Sequence, residues 1–313
     1  MVNDGASLSL RVKEFLREEY RLAFRHDHWN IGIVDAPIHA FLEPDGDLEV
    51  TWFPLPAPGR YLADPFGLPR GSGTEILFEE FDFRSSEGSI SWARAEGDGH
   101  VSPPRVAIEL PFHASYPFLV EREGSVFCIP ETADAQEVSL YRAVEFPHRW
   151  TKDATLIPDF AGLDNTLVER DGRLWLFNTD RNDGAFSKLR IWHAPNLRGP
   201  WKPHAANPVK TDLGSARPAG TPFVFDGELY RPSQDSTKGY GTSVVVNRVL
   251  RLTTTEYREE PAAVVPPFRD GGHRHGIHTL AAAGDRTLVD GKRFAFNGWA
   301  MARNVLGRRP TIS

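Results

Sequence analysis

Cysteine is almost absent from this sequence: Cys128 is the single one in 313 residues. That excludes an internal disulfide framework and any zinc site built from several thiolates. Cys128 sits in the apolar run Val126-Phe127-Cys128-Ile129 and reads as a small buried strand residue, not a nucleophile. Long apolar runs are missing as well. No stretch of 18 apolar residues occurs, so no membrane-spanning helix is expected. Met1 to Ser9 lacks a basic region followed by an apolar core, so no signal peptide is read. A cytoplasmic location is the resulting expectation, with secretion open to a chain whose leader has been removed. Positive charge is not in excess either: 36 Lys and Arg stand against 42 Asp and Glu, a net charge of −6. This argues against a nucleic-acid partner and a polybasic membrane anchor. No glycine-rich loop follows a strand and opens a helix, so a nucleotide enzyme is not expected.

What is abundant points to β-structure. Eight Trp, seven Tyr and 20 Phe accompany 27 Gly and 25 Pro, the mark of many short strands and many turns. One helix is expected over residues 10–25, where Leu10, Val12, Phe15, Leu16, Tyr20 and Leu22 recur at roughly helical spacing. Residues 1–28 form an N-terminal helical segment in this reading, and 29–313 a single β-domain. Strands are expected at Trp29–Val34, at His39–Leu42 and at Leu48–Phe53.

From Leu62 onward one unit recurs five times. A short strand carries a polar residue near its start, a turn follows, and a second strand ends in polar residues. Anchors at Asp64, Tyr116, Asp164, Ala219 and His278 are spaced by 52, 48, 55 and 59 residues. That is at or just above the roughly 40–50 residues of a four-stranded propeller blade. Glu123-Gly124, Asp171-Gly172 and Asp226-Gly227 all begin seven residues after their anchors. The expected fold is therefore an all-β, five-bladed β-propeller. Its fifth repeat runs out of chain after about two strands, so the N-terminal strands are expected to complete the last blade and remove its open edge.

In a propeller, residues that start the first strand of each blade and end the second converge on one face around the axis. Here they include Asp64, Tyr116, Asp164, Arg217 and His278 at the starts. Glu79 and Glu80, Glu131, Asn178 and Asp180, and Gln234 and Asp235 stand at the ends. Paired carboxyl groups suit glycoside chemistry, in which one acid protonates the leaving oxygen and the other attacks or activates water. His273, His275 and His278 cluster in sequence, but with no diagnostic ligand spacing, so no metal or cofactor is expected.

Ala63-Asp64-Pro65-Phe66 and Leu163-Asp164-Asn165-Thr166 resemble the blade-one and blade-three motifs of five-bladed glycosidases of the arabinofuranosidase–xylosidase and invertase–levansucrase type. Further motifs resemble the N-terminal propeller-like domain of plant glucosamine inositolphosphorylceramide transferases and bacterial relatives. They include Phe78-Glu79-Glu80, His113 to Phe118, Ile129-Pro130-Glu131, Leu140 to Ala143, Gly199-Pro200-Trp201, Ala216 to Gly220, and Gln234-Asp235 with Tyr240-Gly241. This likeness covers roughly residues 60–260. It implies that Asp64 is the base or nucleophile and that Asp164 orients the sugar and raises the pKa of the acid. The glycosidases usually take that acid as a Glu from blade three or four, where this chain offers Arg217, Gly220 and Gln234. Glu131 is then the first candidate acid and Glu80 the second, with His278 or His113 as substitutes. Sugar-binding candidates are His113, Tyr116, Arg217, Arg231, Gln234, Asp235, Tyr240, His275 and His278. A carbohydrate is the expected substrate or ligand, and a glycoside hydrolase or transglycosylase the expected activity. The alternative is a non-catalytic glycan-binding propeller that assists a partner.

Overall fold

The computed structural model describes residues 26–43, 48–269 and 271–299. The helix expected over 10–25 lies outside them. The described residues form five antiparallel sheets arranged as blades. The chain opens with β1 (His26–Val34) and β2 (Val50–Trp52). Blade one then comprises β3 (Arg60–Arg70), β4 (Gly73–Asp82), β5 (Glu87–Ala95) and β6 (Arg105–Ile108). Blade two comprises β7 (Ser115–Arg122), β8 (Ser125–Glu131), β9 (Glu137–Glu145) and β10 (Arg149–Pro158). In blade three, β11 (Gly162–Arg170), β12 (Arg173–Asp180) and β13 (Lys188–Ala194) are finished by two short strands, β14 (Lys202–Pro203) and β15 (Lys210–Thr211). Blade four comprises β16 (Phe223–Phe225), β17 (Glu228–Asp235), β18 (Ser243–Leu252) and β19 (Tyr257–Val265). Blade five is composite: β20 (Leu280–Ala283) and β21 (Arg286–Ala295) are followed across the sheet by β1 and then β2. The N-terminal strands thus close the ring, as the repeat count requires, and β1 pairs with β21 from His26↔Ala295 to Val34↔Thr287.

Two local expectations are corrected. His39–Leu42 is no strand: Ile38–Leu42 forms a 3-10 turn after Pro37, burying Ile38 and Phe41 three residues apart. The inner strand of blade four is only Phe223–Phe225, although an apolar pattern begins at Ala216. Pro218 and Pro222 lack the N–H that a ladder needs, and Gly220 adopts φ +117. The hairpin turns follow the sequence closely. Glu123-Gly124, Asp171-Gly172 and Asp226-Gly227 all have positive φ at both residues, the backbone that matches strand twist in a two-residue turn.

Blades meet through apolar faces. Phe66, Phe78, Tyr116, Phe118, Ile129, Leu140 and Leu176 belong to one continuous buried cluster. Tyr116 is entirely buried and crosses between blades at the axis. Its hydroxyl lies 2.8 Å from Thr166 Oγ1 in blade three and accepts the Gly220 N–H of blade four at 2.6 Å. Its ring meets Phe66 of blade one edge-on at 4.8 Å. Gly220 in turn leaves room for blade five, since a Cβ there would sit 1.8 Å from the Leu280 carbonyl oxygen.

Replacing Tyr116 by Phe keeps the ring and strands the buried Gly220 N–H. It is expected to cost about 1–3 kcal/mol of stability, measured as a lowered midpoint in urea at unchanged slope.

Candidate active site

The site is assembled from the axial ends of the first two strands of the blades. The anchors Asp64, Tyr116 and Asp164 share a backbone device: each has positive φ, +52, +46 and +51. Each sits at a register shift, between Ala63 and Phe66, Ser115 and Phe118, and Leu163 and Thr166. A bulge there re-aims the anchor side chain and withdraws its N–H from the ladder. The freed N–H of Asp64 points to Asp290 Oδ2 at 3.3 Å, and that of Asp164 to Glu131 Oε2 at 3.3 Å. A carboxyl on a second strand thereby binds the bulge of the next blade, from five to one and from two to three.

Asp164 is engaged at both of its oxygens. Arg217 grips it side-on, with Nε 2.5 Å from Oδ2 and Nη2 3.1 Å from Oδ1. Gln234 Nε2 donates to Oδ2 at 2.7 Å. The Arg217 guanidinium lies against both Phe186 and Tyr240, 5.3 and 5.4 Å from their centroids, and the two rings meet each other edge-on at 6.0 Å. Burial opposes its charge, but Asp164, Tyr240 and Glu131 overcome this and hold its pKa above the ordinary value. Arg217 Nη2 also lies 3.9 Å from Glu131 Oε2.

Asp64 is bound by one oxygen. Thr279 Oγ1 donates to Oδ1 at 3.0 Å, and His278 Nε2 lies 3.4 Å from that same atom. Behind the imidazole, Nδ1 sits 2.6 Å from Asp290 Oδ2. Asp64, His278 and Asp290 bring ligand-type atoms within 4.8 Å of one another. Each ring nitrogen faces a carboxyl group at ion-pair distance, so the three side chains form one charged chain across the blades.

Burial dominates the titration of the acids here. It raises Asp64 to about 6, with His278 pulling down and Asp164 and Asp290 pushing up. Glu131 rises to about 8 through burial and then Asp164, with Arg217 opposing. Glu79 is pushed well above the carboxyl range by burial and then by Asp64, Glu131, Asp164 and Asp290. His113 faces Glu79, Nε2 to Oε1 3.7 Å, while its Nδ1 accepts the Gly88 N–H at 2.9 Å. Burial first of all lowers the His113 pKa, so the ring is neutral with its proton on Nε2. Near neutrality Asp64 is therefore largely ionised while Glu131 is largely protonated, two acids driven apart by their surroundings.

Of the residues expected from sequence, Asp64, Glu131, Asp164, Arg217, Gln234, His278, His113 and Tyr240 are brought together. Five are placed elsewhere. Glu80 alternates to the other side of β4 from Glu79, where it pairs with Arg60 at 2.6 Å and accepts from Ser91 at 2.8 Å. Tyr116 is sealed beneath the site as an inter-blade strut. Arg231 is fully buried away from it, bound to Glu259 at 2.6 Å and to the Ser215 and Ala216 carbonyls. Asp235 organises its own turn by accepting from Thr237 N and Oγ1 and from Ser243 Oγ. His275 is exposed and packs on Phe294 at 4.8 Å.

Asp290, Thr279, Trp29 and Phe186 were not singled out from sequence, and of the pair placed at the end of β4, Glu80 was taken as the candidate acid where Glu79 faces the site. Residues 79, 131, 179 and 234 each lie fifteen after their anchor, which selects Glu79 over Glu80. Asp290 is followed by Gly291 and so looks like a turn, although it lies inside β21.

Residues 54–271 match the family described as glucosamine inositolphosphorylceramide transferase 1, N-terminal. The chain belongs to that family. It is 32% identical over 265 residues to glucosamine inositolphosphorylceramide transferase 1 of rice, Oryza sativa subsp. japonica, covering 80% of this chain and 35% of the relative. The Arabidopsis thaliana protein of the same name is 31% identical over 266 residues, covering 80% and 34%. This chain thus spans about a third of the length of these plant relatives. Among solved structures, the fold resembles the catalytic domain of the Coprinopsis cinerea family 62 α-L-arabinofuranosidase. That match has a TM-score of 0.55 at 10% identity and covers 72% of this chain and 78% of the other. It also resembles a family 117 glycoside hydrolase of Zobellia galactanivorans, with a TM-score of 0.52 at 14% identity, covering 77% and 86%.

The raised acids tie stability to pH. A native carboxyl with a raised pKa binds more protons than the unfolded chain, so stability falls as pH rises from the ordinary value towards the native one. For Glu131 that window runs from the ordinary value of 4.5 to about 8. Glu131→Gln removes this ionisation cost. Its melting temperature is expected to exceed that of the native protein at pH 8.5 by a few degrees, with the advantage fading by pH 5, as followed by circular dichroism.

Proposed function

We propose that this propeller cleaves or transfers a glycosidic bond, with Asp64 as base or nucleophile and Glu131 as general acid. The observation that carries the reading is the convergence, from separate blades, of an acid that ionises at about 6 and another that ionises at about 8. Glu131 Oε2 is occupied by the Asp164 N–H, and Oε1 has no partner among the described residues. Its proton passes to the leaving glycosidic oxygen as the bond to the anomeric carbon breaks. The Asp64 anion then either attacks that carbon or takes a proton from the water that does. Asp164, clamped by Arg217 and Gln234, stands beside Glu131 and helps to keep the Glu131 proton on until transfer. Phe186 and Tyr240 flank Arg217 and offer ring faces at the rim, with Phe186 41% exposed. The names of the relatives, transferases of a sugar, and of the structural neighbours, glycoside hydrolases, support a carbohydrate ligand.

The second reading is a glycan-recognition propeller without turnover. It is favoured by the length of the relatives, of which this chain covers about a third and which have room for a catalytic unit elsewhere.

A panel of aryl glycosides and oligosaccharides separates the two. Turnover by the native chain should fall at least ~1,000-fold in Asp64→Asn, and Glu131→Gln should lose more on poor leaving groups than on activated aryl ones. The native pH profile should be bell-shaped, rising near pH 6 and falling near pH 8. Unchanged turnover in Asp64→Asn removes the assigned role. Saturable sugar binding without turnover favours the recognition module.

A further inference from the structure

We propose that Asp290 and His278 form a positioning relay that fixes Asp64 by one oxygen and, through the charge on His278, sets the acid limit of the site. This rests on the reading of Asp64 as the reacting carboxyl. The geometry is independent of it. Asp290 is fully enclosed at the seam between blades five and one. It accepts the N–H groups of His278 at 2.9 Å, Thr279 at 3.1 Å and Asp64 at 3.3 Å, so it cannot move without breaking all three. His278 leans on it through Nδ1 and is held in plane from the side by Trp29, whose ring centroid is 4.0 Å away at 30°. Gly241 leaves room for this packing, since a Cβ there would lie 2.5 Å from Trp29 and 3.3 Å from the His278 Cβ. Packed on Trp29 and set against Asp290, the imidazole presents Nε2 towards Asp64 Oδ1.

The consequence for Asp64 is asymmetry between its oxygens. His278 and Thr279 both address Oδ1, and Oδ2 has no partner among the described residues. Oδ2 is left to meet the anomeric carbon or its water, with its direction fixed by the relay.

The charge follows from what faces the ring. Asp290 comes from β21, Asp64 from β3 and Asp164 from β11, while the Tyr240 ring comes from the loop after β17, 5.1 Å away. Two cations stand one ring away: Lys292 on Trp29, 5.2 Å from its centroid, and Arg217 on Tyr240, 5.4 Å from its centroid. Burial lowers the His278 pKa, but Asp290 and then Asp64 outweigh it and raise the pKa overall. The folded site thus keeps the ring charged as pH rises past its ordinary value, and loses that charge only above the raised one. While present, the charge lowers the pKa of Asp64 against burial and two acidic neighbours, Asp164 and Asp290. Without it, Asp64 would hold its proton to higher pH.

The test is an NMR titration of protein labelled with ¹³C in the His ring and the Asp carboxyl group. It reads both groups whether or not the protein turns over a glycoside. In the native chain His278 should titrate above its ordinary value of 6.5. In His278→Asn the Asp64 titration should move up by about one unit, and in Asp290→Asn the His278 titration should fall towards the ordinary value. If the native chain is active, the rising limb of kcat/KM should move up by the same amount in His278→Asn, with the falling limb in place. A ring that titrates at or below the ordinary value in the native protein overturns the relay, and this arm needs no variant to fold. So does an Asp64 shift smaller than about half a unit in His278→Asn, or a His278 titration that Asp290→Asn leaves unmoved. Absence of turnover in a native chain whose titrations behave as expected removes the hydrolytic reading and leaves the relay standing.

Discussion

The buried carboxyl of Asp290 is the constraint on which the ring depends. A propeller has a seam where the two ends of the chain must meet without a covalent link. Here the ends meet inside blade five, where β21 pairs with β1, and the blade so closed must be held against blade one. A carboxyl excluded from water is costly unless its oxygens are satisfied. Asp290 of β21 is satisfied from both blades, by two N–H groups of blade five and the Asp64 N–H of blade one. The same bonds dock the closing blade and aim Asp64 at the axis. Structure and candidate chemistry share one set of hydrogen bonds, so one cannot be altered without the other.

That device explains why residues other than glycine accept left-handed backbone at three anchors. Asp tolerates this region at modest cost, and Asp64 and Asp164 occupy it where a released N–H finds a carboxyl. Tyr116 has no such excuse in its own type and is offset differently. Its hydroxyl ties blade two to Thr166 and Gly220, and its ring fills the space at the axis. Blade four answers with the opposite choice. Gly220 has no side chain because the Leu280 backbone and the Tyr116 hydroxyl both approach it, and this interrupts the inner strand. The irregular blade is therefore a consequence of what the axis must hold.

Much of this was legible in the sequence, because a repeat of fixed length constrains topology more strongly than any single strand signal. The anchors and the Asp-Gly and Glu-Gly turns fixed the register of blades two to four, and the shortage of chain after His278 required the N-terminal strands. Side-chain direction was harder to read. Glu79 and Glu80 are adjacent and chemically alike, yet strand alternation sends one to the axis and the other to Arg60. Arg231 and Asp235 lie on β17 with Gln234, and only Gln234 reaches Asp164. The partner that buries Arg231 is Glu259, two strands away in the sheet, a contact that no local pattern announces. Asp290 was hidden by the glycine after it. Gly291 is there because a Cβ would strike Trp52 and His273, not because the chain turns.

The balance of charge at the axis argues for divided labour among the acids. Asp64, Glu79, Glu131, Asp164 and Asp290 meet Arg217 and His278, with five acids against two bases. In so dry a setting five full negative charges would repel strongly, so some of the acids stay protonated. The two bases determine which. Arg217 is committed to Asp164, and His278 to Asp290 and Asp64. Glu79 has only a neutral His113 beside it, and Glu131 only the distant edge of Arg217 at 3.9 Å. These two keep their protons. Of the pair, Glu131 stands next to Asp164 and shares its bound N–H, which makes it the acid whose proton an incoming oxygen can take.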